Sequence, residues 1–375
     1  MIHIKKVVMR IVRMALITPF ETASARITHK DLLLMEWHDA SGIRVMSECV
    51  AKHIPNYTPE TVDTAFVVLK KHILPLIMHQ DFDTPQSLTN TIQRHVRGNL
   101  MAVASADMAA WAIMAEQQGI SLSKAIGGVK QRIACGIALG IQASPQALAE
   151  VVAKEMAEGY HKIKLKIKPG QDINYVQCVR DTLGNDVPLM VDANNAYTLN
   201  DIPILKELDT MQLMMIEQPL AWDDIIDHAQ LQAQMQTPIC LDESIFHVRH
   251  AEQAMELKST QIINIKPGRV GGYTESLKIH DACHAQGVPV WCGGMLETGI
   301  GRAYNVALAS KENFTLPGDV SPSKRYWAQD IVSPEWTMAA DGFMAVPTHK
   351  PGLGVDICYD AIEACTQHKE EITWF

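Results

Sequence analysis

Six short apolar runs end in a polar or reactive residue at nearly constant intervals: Lys166 in KIKLKI, Asp192 in VPLMVD, Glu217 in QLMMIE, Asp242 in TPICLD, Lys266 in QIINIK and Cys292 in VPVWC. The intervals are 26, 25, 25, 24 and 26 residues. Amphipathic stretches fill the gaps, among them 145–158, 199–208, 223–236 and 273–286. Nearly continuous apolar strands alternating with helices specify a parallel sheet covered by helices. A fixed period with six members suits a closed α/β barrel better than an open doubly wound sheet, whose crossovers vary in length. No GxGxxG follows the early strands, so the dinucleotide-binding alternative lacks its usual signature.

A barrel of this kind takes about 250 residues, and the chain has 375, so a second substructure is expected. Residues 1–125 read as an α+β unit. Strands are expected at 3–14, 31–38 and 43–50, with a polar, turn-rich TPFETASARIT between the first two. Thr58-Pro59-Glu60 and Thr84-Pro85-Gln86 read as helix starts, a capping hydroxyl followed by proline, and 100–118 as a buried Ala/Met-rich helix. Residues 126–325 hold the barrel. Residues 326–375, with Trp327, Trp336, PGLGVD and a short helix near Ala361, read as a tail folding back over the rest.

A net charge of −9 offers nothing to a phosphate backbone or an anionic membrane, so neither nucleic acid nor membrane is an expected partner. No apolar run reaches the roughly 18 residues of a membrane span, and the N-terminus has no signal-peptide core, which makes the cytoplasm the expected compartment. The eight cysteines form no CxxC pair and read as reduced core residues, not as disulfides or zinc ligands. The 19 Met and 7 Trp make a homo-oligomer the expected assembly.

Catalytic groups of α/β barrels sit at the C-terminal ends of the strands. Here Asp192, Glu217 and Asp242 close three consecutive strands. An acid in that place can also cap the next helix, but Thr198 with Asp201, and Trp222-Asp223, already offer helix starts. Three carboxylates converging on one barrel mouth repel unless a cation holds them, and oxygen ligands without Cys or His select Mg2+ or Mn2+ over zinc. Lys162, Lys164, Lys166 and Lys168 alternate with aliphatic residues, so all four share one face of their strand. Alone, that describes a solvated edge strand. In a parallel barrel the lysines point inward, and neighbouring ammonium groups lower one another's proton affinity, which suits a general base. Lys166 falls on the second strand and Lys266 on the sixth, opposite each other, with the acids on the arc between. A small carboxylate substrate held there presents its α-carbon between two amines, the arrangement for α-proton abstraction followed by elimination or by reprotonation from the other face. A Schiff-base aldolase using Lys166 or Lys266 is the competing enzyme class, and leaves the three carboxylates unexplained. A noncatalytic binding protein on the same barrel is the remaining alternative.

The motifs IKLKIKPG, VDANNAYTL, IEQPL, TPICLDES, NIKPGRVGGY, PVWCGGMLETGIGR and NFTLPGD, spanning about 130–320, together with TPFETASARITHKDLLL near the N-terminus, resemble the enolase superfamily. Within its muconate-cycloisomerase-like subgroup they are most similar to the o-succinylbenzoate synthase/N-succinylamino acid racemase family. The resemblance implies a modified (β/α)7β barrel with an N-terminal α+β capping domain completed by the C-terminal tail. It implies Mg2+-dependent syn dehydration of 2-succinyl-6-hydroxy-2,4-cyclohexadiene-1-carboxylate to o-succinylbenzoate for menaquinone synthesis, with Mn2+ as a substitute ion, or racemisation of N-succinylamino acids by two bases. Carried over by position, Lys166 is the base and acid, Lys266 the opposing cation or second base, and Asp192, Glu217 and Asp242 the metal ligands. Lys164, Asn194 and Asn264 support them. Gly293, Gly294 and Met295 offer backbone N–H groups to the succinyl carboxylate. Phe20, in a closing loop around Pro19 to Ala23, contacts substrate. Arg269, three residues after Lys266, either depresses that lysine's proton affinity and favours racemisation or is a surface or purely structural arginine. The chain departs from relatives in having Ala138 where they often place a serine. It also lacks the DxD-type motif of dipeptide epimerases and the histidine base of mandelate-racemase-like relatives.

Overall fold

The computed structural model describes residues 1–21, 26–78 and 80–373. Strands β1 (Ile4–Glu21), β2 (Arg26–Asp39) and β3 (Arg44–Cys49) form an antiparallel meander. β1 and β2 are longer than the sequence reading allowed. Most of the TPFETASARIT segment continues the hairpin, with Phe20 opposite Ile27 and Glu21 opposite Arg26. Thr22 and Ala23 of the expected closing loop lie outside the described residues. The first cap helix is Val62–Val68, and its N-cap is Thr61, not Thr58, because Thr61 and Thr64 form a reciprocal capping box. Glu60 instead caps the helix Leu100–Gln117, accepting from the amides of Met101 (2.9 Å) and Ala102 (3.0 Å). That helix is apolar all round and buried along most of its length, as expected of a helix in the middle of a core. Its buried acid, Asp107, accepts from Thr89 Oγ1 (2.5 Å) and from the Thr274 amide (3.1 Å) on a barrel helix, tying cap to barrel.

A short β4 (Arg132–Ala134) precedes the barrel strands β5 (Gly136–Leu139), β6 (Lys162–Lys166), β7 (Leu189–Asp192), β8 (Ile216–Glu217), β9 (Ile239–Leu241), β10 (Ile262–Ile265) and β11 (Val290–Cys292). The seven form one parallel sheet in strict chain order. Closure is made by two residues: Gly318 accepts from the Gly136 amide (2.6 Å), and the Asp319 amide donates to the carbonyl of Cys292 (2.9 Å). The intervening helices include Pro145–Ala157, Ile202–Leu208 and Tyr273–Ala285. The helix expected over 223–236 is only Ile226–Gln232, because Asp224 turns back to cap it at Ile226, Asp227 and His228.

The barrel interior decides between the two readings of the lysine strand. Met190, Met215, Cys240, Ile262 and Trp291 pack together inside it. Lys162 and Lys164 are 0% and 3% exposed, so β6 is not a solvated edge. Lys162 Nζ stands 3.4 Å from the Trp291 ring centroid and 3.1 Å from Asp319 Oδ1. In the tail, β12 (Val332–Ser333) pairs with β14 (Asp356–Ile357), and β13 (Phe343–Ala345) pairs with β4. The final strand β15 (Thr366–Thr373) runs antiparallel along the outer edge of β1. All eight cysteines are free thiols. Among the described residues no helix is long and apolar enough to cross a membrane.

Because Asp319 balances two ammonium groups inside the barrel, Asp319→Ala strands buried charge. The expected cost is about 3–5 kcal/mol of unfolding free energy in urea titrations, against less than 1 kcal/mol for a typical exposed ion-pair carboxylate.

Candidate active site

A cavity of about 150 Å³ lies between the barrel mouth and the cap. The barrel lines it with Lys164, Lys166, Asn194, Asn195, Glu243 and Lys266, and the cap with Phe20, Lys30, Lys52 and Tyr57. Register explains how distant residues meet. Lys166 pairs with Asp192 across β6 and β7, and Asp192 with Glu217 across β7 and β8, so one row of the sheet carries all three. Asp242 and Lys266 follow the ends of β9 and β10.

The charges in this row are interleaved. Lys166 Nζ donates to Asp192 Oδ2 (2.5 Å) and to Asn194 Oδ1 (2.7 Å). Lys164 Nζ lies 2.6 Å from Asp319 Oδ2, 3.1 Å from Glu217 Oε2 and 3.3 Å from Asp192 Oδ2. Lys266 Nζ lies 2.6 Å from Asp242 Oδ2 and donates to the Tyr57 hydroxyl (3.0 Å), which itself donates to Asp242 Oδ1 (3.0 Å). Burial pushes the Asp192 carboxyl upward, but Lys166 and Lys164 outweigh it and hold it well below the ordinary carboxylate range. Burial pushes Asp319 the same way, and Lys162 and Lys164 bring it down to about 2. For Lys164, burial lowers the ammonium pKa, but Asp319, Glu217 and Asp192 carry it above its ordinary value. Lys266 is likewise raised: burial lowers it, and Tyr57, Glu217 and Glu243 prevail. The mutual depression of lysines expected from their spacing is therefore overridden at Lys164 and Lys266 by the carboxylates that face them. Among the described residues, no three Asp, Glu, His or Cys side chains stand together as a ready-made cation cage. Asp192, Glu217 and Asp242 are each turned to a lysine instead.

The other residues expected in the site fall out as follows. Asn264 Nδ2 donates to Glu217 Oε1 (2.8 Å), and its own Oδ1 is buried without a partner. Phe20 and Gly294 line the cavity. Met295 does too, but its N–H is committed to Glu297 Oε1 (2.9 Å), which removes one donor from the expected amide cradle. Arg269 is fully buried and not a surface residue. It bonds Asp242 Oδ1, the Ile245 carbonyl (2.9 Å) and the Asn264 carbonyl (2.7 Å), so it reaches Lys266 only through the carboxylate they share.

Four participants were missed in the sequence. Tyr57 comes from a cap loop without periodicity. Lys30 sits on β2, where nothing in the local pattern marks it. Glu243 was visible as the second acid of CLDES, and its Oε1 accepts from Asn194 (3.2 Å) and Asn195 (3.4 Å) while its Oε2 is buried and unpartnered. Asp319, in LPGDV, becomes important only once the barrel closes through it.

Gly293 shows how tightly this end is packed: a Cβ there would stand 2.4 Å from Asn264 Oδ1 and 2.6 Å from Lys266 Cε. Gly293→Ala is expected to displace Lys266 and lower kcat by about 100-fold. Circular dichroism of the variant should match the parent, and an unimpaired kcat would show that Lys266 need not hold this position.

Residues 4–127 match the mandelate racemase/muconate lactonizing enzyme N-terminal domain, and residues 147–361 match the enolase C-terminal domain-like family. An o-succinylbenzoate synthase of Geobacillus stearothermophilus is 45% identical over 366 residues, 98% of this chain and 96% of its own. An N-succinylamino acid racemase of Amycolatopsis sp is 43% identical over 361 residues, 96% of this chain and 97% of its own. The crystal structure of an enolase superfamily member from Listeria innocua is similar at a TM-score of 0.95 and 38% identity, covering 100% of both chains.

Proposed function

This chain belongs to the enolase superfamily, and from that premise we propose that it dehydrates 2-succinyl-6-hydroxy-2,4-cyclohexadiene-1-carboxylate to o-succinylbenzoate, the step that serves menaquinone synthesis. N-succinylamino acid racemisation is its second activity, in keeping with the racemases among its relatives. The observation that carries the reading is the pair Lys166 and Lys266, set on the second and sixth strands of one barrel and lining one cavity, with three strand-end carboxylates between them.

The reaction uses a divalent metal, which we assign as Mg2+ with Mn2+ as a substitute, held by Asp192, Glu217 and Asp242. The residues fit it: the donors are all oxygen, and Glu243 Oε2 and Asn195 Oδ1 are buried at the same mouth without partners. When bound, the ion supplies Lewis-acid stabilisation of the negative charge that gathers on the substrate carboxylate. Lys166, oriented by Asn194, takes the α-proton. The same nitrogen then returns that proton to the departing hydroxide, so water leaves and the ring gains its third double bond. In dehydration Lys266 lies over the other face as the opposing cation. In racemisation one lysine removes the α-proton and the other delivers one from the opposite face, and the roles exchange for the other enantiomer. The seat of this chemistry is expected to be cytoplasmic and homo-oligomeric, with Trp222 and Ile226, 43% and 64% exposed, as apolar surface for assembly. Sedimentation at the mass of one chain would remove the oligomer.

The decisive assay supplies purified protein with Mg2+ and each substrate. EDTA is expected to abolish turnover of both and added Mg2+ to restore it, whereas a borohydride-trapped lysine adduct would point to Schiff-base chemistry instead. In deuterium oxide, Lys166→Ala should exchange the α-proton of one N-succinylamino acid enantiomer only and Lys266→Ala that of the other only. Dehydration should fall about 10³-fold in Lys166→Ala. Exchange of both enantiomers by both variants would sink the two-base assignment.

A further inference from the structure

The cavity holds more positive charge than its reacting end uses. Lys164, Lys166 and Lys266 each stand within 3.3 Å of a carboxylate. The cap brings two more ammonium groups to the same space, Lys30 and Lys52. Neither forms an ion pair among the described residues. Lys30, on β2, is 6% exposed and donates to the carbonyl of Met295 on the seventh-strand loop. Lys52 Nζ donates to Asn56 Oδ1 (3.2 Å). The one cap carboxylate on the cavity wall, Asp31, is already taken by Arg13 through Nε (2.6 Å) and Nη2 (2.8 Å). Burial lowers the Lys30 ammonium pKa, and Glu297 and Glu48 lie near enough to oppose that; Glu48 is engaged by Thr298 and Gly301 and Glu297 Oε1 by the Met295 amide, while Glu297 Oε2 is buried without a hydrogen-bond partner. A buried ammonium that donates to one carbonyl and forms no ion pair among the described residues has donors to spare for an anion entering from the cavity.

We propose that Lys30, seconded by Lys52, binds a second carboxylate of the substrate, the one remote from the reacting carbon, and thereby makes Lys30 a specificity-determining residue for an anionic acyl group. The inference rests on the activity proposed above and adds the side chain that selects the acyl end. Lys30 is suited to it by position: it approaches from the cap, opposite the strand-end lysines, beside Gly294 and Met295. Its tie to Met295 places the loop and the ammonium in fixed relation, so the distal anion is read by a positioned charge. The Met295 N–H, spent on Glu297, cannot serve in its place.

The test compares racemisation of the N-succinyl and N-acetyl derivatives of one amino acid, which share the reacting carbon and differ in the distal charge. The parent enzyme is expected to favour the succinyl form. In Lys30→Met the succinyl-to-acetyl ratio of kcat/KM should fall about 10- to 100-fold, the loss expected for a charge-assisted hydrogen bond, and the fall should lie in KM. Lys52→Met should lower the ratio by a smaller factor. Equal loss on both substrates would overturn the inference, since that is what a merely structural tie to Met295 produces. If Lys30→Met fails to fold, an unaltered ratio in Lys52→Met overturns it instead. A parent enzyme that treats both acyl forms alike overturns this inference alone. One that turns over neither overturns the racemase activity on which the inference rests, and the inference falls with it, while dehydration is judged by its own assay.

Discussion

Lysines placed inside a barrel must be answered by carboxylates, and most of this molecule follows from that requirement. Lys162 and Lys164 are taken out of water by the strand that carries them. Leaving either unpaired would cost several kcal/mol. Asp319, Glu217 and Asp192 meet the charge. Each of these acids comes from a different stretch of chain, so the charge balance exists only when β6, β7, β8 and the closing segment are in register. The same balance acts on the site: facing charges hold the Lys164 ammonium pKa above its ordinary value and the Asp192 carboxyl below its own. Lys166 stands at the upper end of the row and lines the cavity.

The cap bears on this barrel through a few specific contacts and not by packing alone. Tyr57 reaches down to Lys266 and Asp242, Lys30 to Met295, and the β1 carbonyl of Glu21 to the Ile141 amide (3.1 Å) above the first barrel strand. Asp107 and Trp111 of the central cap helix meet Thr274 of a barrel helix. The two substructures thus share polar groups on both sides of the cavity. The proposed substrate would meet the barrel at its reacting end and the cap at its distal end.

The sequence disclosed the barrel because its signal is local: a βα unit repeats every 24–26 residues, and each repeat ends in the residue that faces the mouth. The KIKLK alternation likewise announced an inward lysine row once a parallel sheet was granted. What stayed hidden depended on tertiary contacts. Nothing near Tyr57 in IPNYTPE tells that its hydroxyl will bridge Lys266 and Asp242, 209 and 185 residues away. Lys30 looks like any polar residue at a hairpin base. Asp319 lies in a Pro/Gly segment that reads as loop, and only the joining of β5 to β11 through two residues makes it the counterion of the barrel floor. Thr58 and Thr61 present equivalent capping chemistry on paper. Thr61 is the one that finds a reciprocal partner, Thr64, while Glu60 is recruited to a different helix.

Strand β15 lies against β1, with Lys6 opposite Thr373, so the first and last strands among the described residues are neighbours. β1 in turn is the neighbour of β2, the strand that carries Lys30. β15 is therefore a brace on the roof of the cavity: stripped away, it would leave the barrel row of lysines and carboxylates untouched and open a free edge on the sheet above them.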